Sequence, residues 1–460
     1  MNRKMNKKVL RGARVSAVLA GVLMALGSVA AEAAIEGISG NTFNMTAKVD
    51  QISTADGGSV LLWGYADDGD SNGGRAQYPA PTMIVNEGDT VTINLSNALT
   101  VTAGAVPNVS IVFPGQDVTV ACTDGTVDTC PQGALTMEAG TDGDVVSYTF
   151  TATNAGTYLY HSGTNPGLQV EMGLTGALIV RPATAGQAYG HVDTAFDYEE
   201  LFVLSEMDPR IHHEVAFHGP DSPDLPALLD NYVANYWFIN GRTAPDNFSG
   251  TFVNWLPTQP YNSVPRMHPG DKLLMRVVGA GRDKHPFHHH GEHASIIAVD
   301  GRMLESAPGM GPDLRTSVFT TPSIPGKTSD GIFEWTGAGL NWDIYGGTDV
   351  WPEMAHTCNG LTTPSAGFDP VTHEYCSDHG KPFPVVLPEK LDLGFGGWWG
   401  GSPYLGSLGA LPPGEGGLNP NGGFSFMWHS HTEKELANYD IFPGGMLTMM
   451  IIEAYNVQID

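Results

Sequence analysis

The sequence predicts an all-β protein built from two related sandwich modules, the second of which carries a loop-rich insertion. Three observations predict it: short stretches alternate polar and apolar residues, a long motif occurs twice, and the composition is that of a turn-rich chain. The 58 Gly and 32 Pro among 460 residues, with only 15% charged, favour many short strands joined by turns over long amphipathic helices.

The alternation is clearest in Thr90-Val91-Thr92-Ile93-Asn94-Leu95-Ser96 and in Val146-Ser147-Tyr148-Thr149-Phe150-Thr151. Residues two apart share a strand face, so each stretch reads as a strand with one buried and one wet side, bounded by turn residues; the spacing suggests antiparallel sandwiches. The repeat links such strands into modules. Pro81 to Val91 has a counterpart in Val264 to Leu274, and both read as a strand, a Gly-Asp turn and a second strand. Tyr158-Leu159-Tyr160-His161-Ser162-Gly163-Thr164 is echoed by Phe426-Met427-Trp428-His429-Ser430-His431-Thr432, each followed by an apolar strand.

The first module spans residues 35–182, a linker 183–197, and the second module 198–460. From the Gly-Asp turn to the histidine strand takes 73 residues in the first copy (Gly88 to His161) and 159 in the second (Gly270 to His429), an excess of 86. That insertion is placed at about 336–423, where Gly, Pro and Trp are dense. Such a segment more often caps a site than builds a core.

Residues 1–34 hold six Lys or Arg, then an apolar run from Val15 to Ala31 and the small residues Ala31-Glu32-Ala33-Ala34. This is the pattern of a secretory signal peptide cleaved near Ala33 or Ala34, and it predicts export to the periplasm or the extracellular space. Of the chain's 22 basic and 49 acidic residues, that segment takes six and one, leaving 16 against 48 and a net charge of about −32. Such a surface repels nucleic acid and anionic membranes and attracts cations. No later apolar stretch is long enough to span a bilayer. The cysteines form two local pairs, Cys122 with Cys130 and Cys358 with Cys376, read as short-loop disulfides in an oxidising compartment.

Chemistry concentrates in His285-Pro286-Phe287-His288-His289-His290-Gly291 and His429-Ser430-His431. On extended strands His288 and His290 project one way, and His429 and His431 can meet them, so four imidazoles converge on a metal. The plainer alternative is a metal-free relic whose histidines bond to each other and to buried water. His289 and His293 are expected to face away from the metal. His212, His213 and His218 are expected in a solvated loop, Met427, Met446, Met449 and Met450 in the core, and Glu433, Glu435 and Asp440 in a charged loop. A cupin would draw its ligands from one compact barrel, whereas these come from strands 139 residues apart (His290 to His429).

These motifs resemble the multicopper oxidase family, over nearly the whole chain beyond residue 34. The strongest part is His285-Pro-Phe-His288-His-His290-Gly291 with His429-x-His431 and Pro443-Gly-Gly-Met446. The resemblance implies two cupredoxin-like Greek-key β-sandwich domains and copper as cofactor. It matches His285 to a ligand of the family's type-1 copper, but Ser430 stands where the type-1 cysteine would be and Glu435 where its second histidine would be. Without the soft thiolate, that site and its electron path are lost. His288, His290, His429 and His431 match ligands of the three-copper cluster. In the first module only His161 remains: Gly163 replaces its partner, and the segment Asn108 to Phe113 replaces an earlier pair. Five of the eight imidazoles survive, enough to hold one ion well or two poorly.

Three readings follow. The chain is a copper-dependent oxidoreductase acting on a small organic or metal-ion substrate with dioxygen, or a non-catalytic copper-sequestering protein, or a structural cupredoxin scaffold without metal. Two-module relatives place copper between the subunits of a homotrimer. Whether His161 meets its own second module or a neighbour's is left open by the sequence.

Overall fold

The computed structural model describes residues 35–69, 72–122, 130–339, 367–378, 401–403, 424–453 and 457–459. The expected signal peptide, Cys358 and most of the expected insertion lie outside the described residues. No helix among the described residues is long and apolar enough to cross a membrane.

Four sheets carry the fold. Residues 38–181 supply one of four strands and one of five, and residues 198–452 one of seven and one of six. The sequence repeat is a repeat of topology. In the first copy Ala80–Asn86 lies parallel to Thr175–Arg181, which closes antiparallel on Gly156–His161. In the second, Arg266–Met267 lies parallel to Leu447–Ile452, which closes antiparallel on Phe424–Ser430. The sheets are therefore mixed rather than purely antiparallel. A strand that opens a sandwich and crosses to the other sheet meets the closing strand head to head, and side-chain alternation carries no information about that direction.

Both Gly-Asp turns use the same bonds. Gly88 and Gly270 have φ of 89° and 86°, a left-handed conformation that glycine adopts without Cβ strain. Their N–H groups donate to the carbonyls of Ala152 and Trp335, both at 2.7 Å. Asp89 and Asp271 accept from the N–H of Asn86 and His268, both at 2.9 Å.

Each half has its own aromatic core, with Trp63, Tyr65, Tyr148 and Tyr160 in the first and Phe202, Phe287, Phe333 and Trp428 in the second. The seam between them is hydrogen bonded: Tyr78 Oη donates to Ser205 Oγ at 2.7 Å and Thr157 Oγ1 to Asp330 Oδ1 at 2.6 Å. Cys122 and Cys130 form the expected disulfide. Cys376 is also disulfide-bonded.

One expectation is corrected. His212, His213 and His218 lie on the helix Pro209–His218, not in a loop. Asp208 caps it, accepting from the Arg210 N–H, with proline at its first turn. Ile211 and Val215, one turn apart, bury its inner face beside His212, whose Nδ1–H donates to the Leu61 carbonyl at 2.6 Å.

Candidate metal centre

The strand Phe424–Ser430 pairs antiparallel with His285–His289 in the register Phe287↔Ser430, His288↔His429, His289↔Trp428. Directly opposed residues share a face. His288, His290, His429 and His431 therefore project to one side, while Phe287, His289, Trp428 and Ser430 project to the other. The ring of His288 lies 4.6 Å from that of His290, 5.6 Å from His429 and 5.0 Å from His431. His290 and His429 lie 5.1 Å apart, and His429 and His431 5.6 Å. His288, His290 and His429 are buried and His431 is exposed, so the group opens to the surface on the His431 side.

The hydrogen bonds orient the rings. A carbonyl only accepts, so a ring nitrogen bonded to one carries the proton and leaves its lone pair on the other nitrogen. His429 Nδ1 donates to the Ser430 carbonyl at 2.7 Å, and His288 Nδ1 to the Phe319 carbonyl at 2.7 Å, with the Thr320 hydroxyl at 2.9 Å. Both thus present Nε2 as the metal-binding nitrogen. His429 Nε2 and His290 Nε2 stand 3.2 Å apart. A metal–imidazole bond of about 2.0–2.1 Å places adjacent ligating nitrogens about 3 Å apart, so this pair fits two positions on one ion.

Burial makes these groups ready ligands. It pushes His288 down to about 4 and His290 to about 3, and neighbouring imidazoles add to both shifts. Burial also lowers His429. Imidazoles neutral at neutral pH suit copper, zinc, iron or nickel, so the His290–His429 pair suits copper without selecting it, while no three of the four rings bring ligand nitrogens within 4.8 Å of one another.

His161 is not brought to this group within the chain. Its Nδ1 donates to the Ser162 carbonyl at 2.9 Å, as His429 does to Ser430, but no ring contact joins it to the four among the described residues. The neighbouring space is filled. A Cβ at Gly163 would lie 2.7 Å from Val112 Cγ1 and 3.2 Å from Ser110 Oγ. Ser110 Oγ in turn accepts from the Gly163 N–H at 3.1 Å and pairs with the Thr164 hydroxyl at 2.9 Å.

His285 sits on the opposite face, with carboxylates rather than the four imidazoles as its neighbours. Its Nε2 donates to Glu206 and its Nδ1 to Glu435, both at 2.8 Å. Burial opposes its charge, yet the bonds to the two carboxylates prevail and raise it to about 9. An imidazolium donating from both nitrogens has no lone pair for a metal. Glu435 is accordingly a buried partner rather than part of a charged loop. Ser430 and Met446 beside it are buried, Met446 within the aromatic core together with Met450. His289 faces that core too, against Trp428 and Phe333, and His293 bonds to Glu292.

Three contributors escaped the sequence reading. Glu206 also accepts from the N–H groups of Arg282 and Asp283 at 2.5 and 2.9 Å. An acid that, with Ser205, interrupts the apolar run Leu201 to Met207 was its available signal, because such a residue is buried only when paired. Phe319 and Thr320, which orient His288, act through backbone and hydroxyl oxygens and leave no motif.

Residues 72–185 match the multicopper oxidase family model. The chain is 32% identical over 141 residues to L-ascorbate oxidase from Nicotiana tabacum, covering 30% of this chain and 22% of that protein. It is 32% identical over 233 residues to the iron transport multicopper oxidase FET3 of Saccharomyces cerevisiae, covering 50% of this chain and 30% of that one. The chain thus spans less than a third of these relatives' own length. Among solved structures it resembles the multicopper oxidase mgLAC (TM-score 0.51, 19% identity, 91% of this chain and 87% of that one). It also resembles the blue copper oxidase from Nitrosomonas europaea (TM-score 0.50, 18% identity, 89% and 85%). At these identities the likeness is one of fold: two cupredoxin-like sandwiches.

Proposed function

From the premise that this chain belongs to the multicopper oxidase family, whose cofactor is copper, we propose that it is an exported oxidoreductase with a histidine-only copper centre and no type-1 copper. His288, His290, His429 and His431 are the ligands. The observation that carries this reading is the His290–His429 pair, two buried ring nitrogens 3.2 Å apart on strands held in register. Bound there, copper supplies Cu(II)/Cu(I) chemistry between an organic or metal-ion substrate and dioxygen.

The chain's own groups set the conditions. Phe319 and Thr320 fix the His288 ring, and the Ser430 carbonyl fixes His429, which is the outer-shell support that metal-binding imidazoles use. The exposed His431 marks the side from which a small substrate reaches the centre. With a hydroxyl at Ser430 and His285 clamped between carboxylates, a laccase-like relay through a type-1 site has no starting point, so the substrate acts at the histidine centre directly. A homotrimer in which His161 of one copy meets the four imidazoles of the next would raise the donor set to five.

The acidic surface, with a net charge of −27 for the whole chain, favours a second reading, a non-catalytic copper-sequestering protein that gathers cations. Copper loading and dioxygen uptake separate the two. Wild-type chain is expected to retain about one copper, to lose at least about tenfold in affinity in His429→Ala, and to consume dioxygen with a phenol, Cu(I), Fe(II) or Mn(II). Copper retention without dioxygen uptake selects sequestration, and a wild-type chain that retains no copper after loading, with His429→Ala no different, sinks both readings in favour of a metal-free scaffold.

A further inference from the structure

A cavity of about 780 Å³ lies where the two halves meet, away from the histidine centre. Its volume is that of a small-molecule site, about 300–1,000 Å³. Ile84, Leu201, Val264, Leu273 and Ile459 give it apolar walls. Its positive charges are already neutralised. Arg181 pairs with Glu199, which also binds Arg276 at 2.9 Å, and Arg266 pairs with Glu453.

Glu200 is different. It follows Glu199 on the strand Tyr198–Met207, and both line the cavity. Glu200 is half-buried and makes no hydrogen bond or ion pair among the described residues. The Asn262 amide and the Thr251 hydroxyl, also on the lining, make no side-chain hydrogen bond among the described residues. Polar groups left without internal partners in a cavity orient a ligand. The cavity's carboxyl groups without a cationic partner among the described residues are Glu200 and the exposed Glu36.

We propose that this cavity binds an organic cation, a primary ammonium group on an apolar body, with the ammonium on Glu200 and the body against the aliphatic walls. An ammonium donates up to three hydrogen bonds, to the carboxylate and to the Asn262 and Thr251 oxygens. An anion would face Glu200 and Glu36, and a neutral alcohol would leave the carboxylate unpaired.

Binding is proton-linked. Burial, with the adjacent Glu199 charge, raises Glu200 to about 8. The other titratable groups on the cavity are Glu36, Arg181, Arg266, Glu199, whose carboxyl burial would raise but the Arg276 and Arg181 guanidiniums hold low, and the phenols of Tyr198 and Tyr261, each raised to about 12 mainly by burial. Glu200 is therefore the lining group that changes charge near neutrality, and pairing with an ammonium expels its proton.

The test is calorimetric titration of the full chain, metal-free and copper-loaded, with phenethylammonium and its isosteres phenethyl alcohol and hydrocinnamate. Phenethylammonium is expected to bind one site in both forms, at least about tenfold tighter than the alcohol, while hydrocinnamate fails to bind. Buffers of different ionisation heat should report release of close to one proton at about pH 7, and affinity should rise about tenfold between about pH 6 and about pH 7. Glu200→Gln, an isosteric change, should lose at least about tenfold in affinity and the proton release, and Val264→Trp, which fills the cavity, should abolish binding. Equal affinity for ammonium and alcohol, unchanged binding in Glu200→Gln, or binding only in the copper-loaded chain would each overturn the proposal. So would loss of binding in a chain starting at Ala34, because Ile35 lines the same cavity and the chain's own amino group would then be the cation.

Discussion

If the proposed histidine centre holds copper, Ser430 decides what kind of chemistry it can support. A hydroxyl in place of a thiolate removes the ligand that gives type-1 copper its strong blue absorption. The substitution does not stand alone. Glu435 occupies the second histidine's place, and with Glu206 it turns His285 from a ligand into a donor of two charged hydrogen bonds. Ser430→Cys by itself is therefore expected to stay colourless with copper, since the new thiolate meets no second imidazole and His285 keeps its proton. The combination of Ser430→Cys, Glu435→His and Glu206→Gln should gain the blue band, read by visible spectroscopy. A blue single variant would show that His285 releases its carboxylates readily. Ser430, Glu435 and Gly163 were legible in the sequence because they fall at fixed offsets within a motif. Glu206 was not, because it reaches the site from a strand 79 residues upstream of His285.

The strand pair His285–His289 and Phe424–Ser430 sorts the histidines by parity, with His288, His290, His429 and His431 on one side and His285 and His289 on the other. The two faces respond oppositely to pH. His285 is raised to about 9 by its carboxylates, so its contribution to stability is full below the unfolded value of about 6.5 and is lost as pH rises through about 9. His288 and His290 are depressed to about 4 and about 3. The unfolded chain takes up their protons first, so their contribution is lost as pH falls below about 6.5. Melting temperature of the metal-free protein should therefore peak near neutrality. His285→Gln should remove the alkaline limb and cost about 3–5 kcal/mol at neutral pH, because two buried carboxylates lose their cation. Bound copper should raise the melting temperature and steepen the acid limb, because it holds the folded chain's imidazoles unprotonated while the unfolded chain still takes up protons. An alkaline limb unchanged in His285→Gln would mean that another group carries it. Parity within each strand was legible in the alternation. The pairing register that sets His288 against His429 was not, because it depends on contacts between strands far apart in sequence.

The whole molecule is one design used twice and spent unevenly. Both copies keep the Gly-Asp turn, the opening strand parallel to the closing one and the histidine strand beside it. The second brings four imidazoles to one face and the first has only His161 on the matching strand, with Ser110, Val112 and Thr164 packed around Gly163. The modules and the repeat were legible because each turn and strand has a local signature. The parallel pairings and the hydrogen-bonded seam were not, since both arise from how strands return across the sandwich. The short His-rich helix was missed for another reason: its cap, Asp208-Pro209, was readable, but its apolar face is only Ile211 and Val215.

Electron paramagnetic resonance of the copper-loaded chain, with metal content measured on the same sample, tests the central claim most directly. The four-histidine centre without type-1 copper predicts about one Cu(II) per chain with nitrogen hyperfine structure and the wide copper splitting of a site lacking thiolate, lost together in His429→Ala. A narrow copper splitting accompanied by intense blue colour, or a sample that holds no copper after loading, would contradict it.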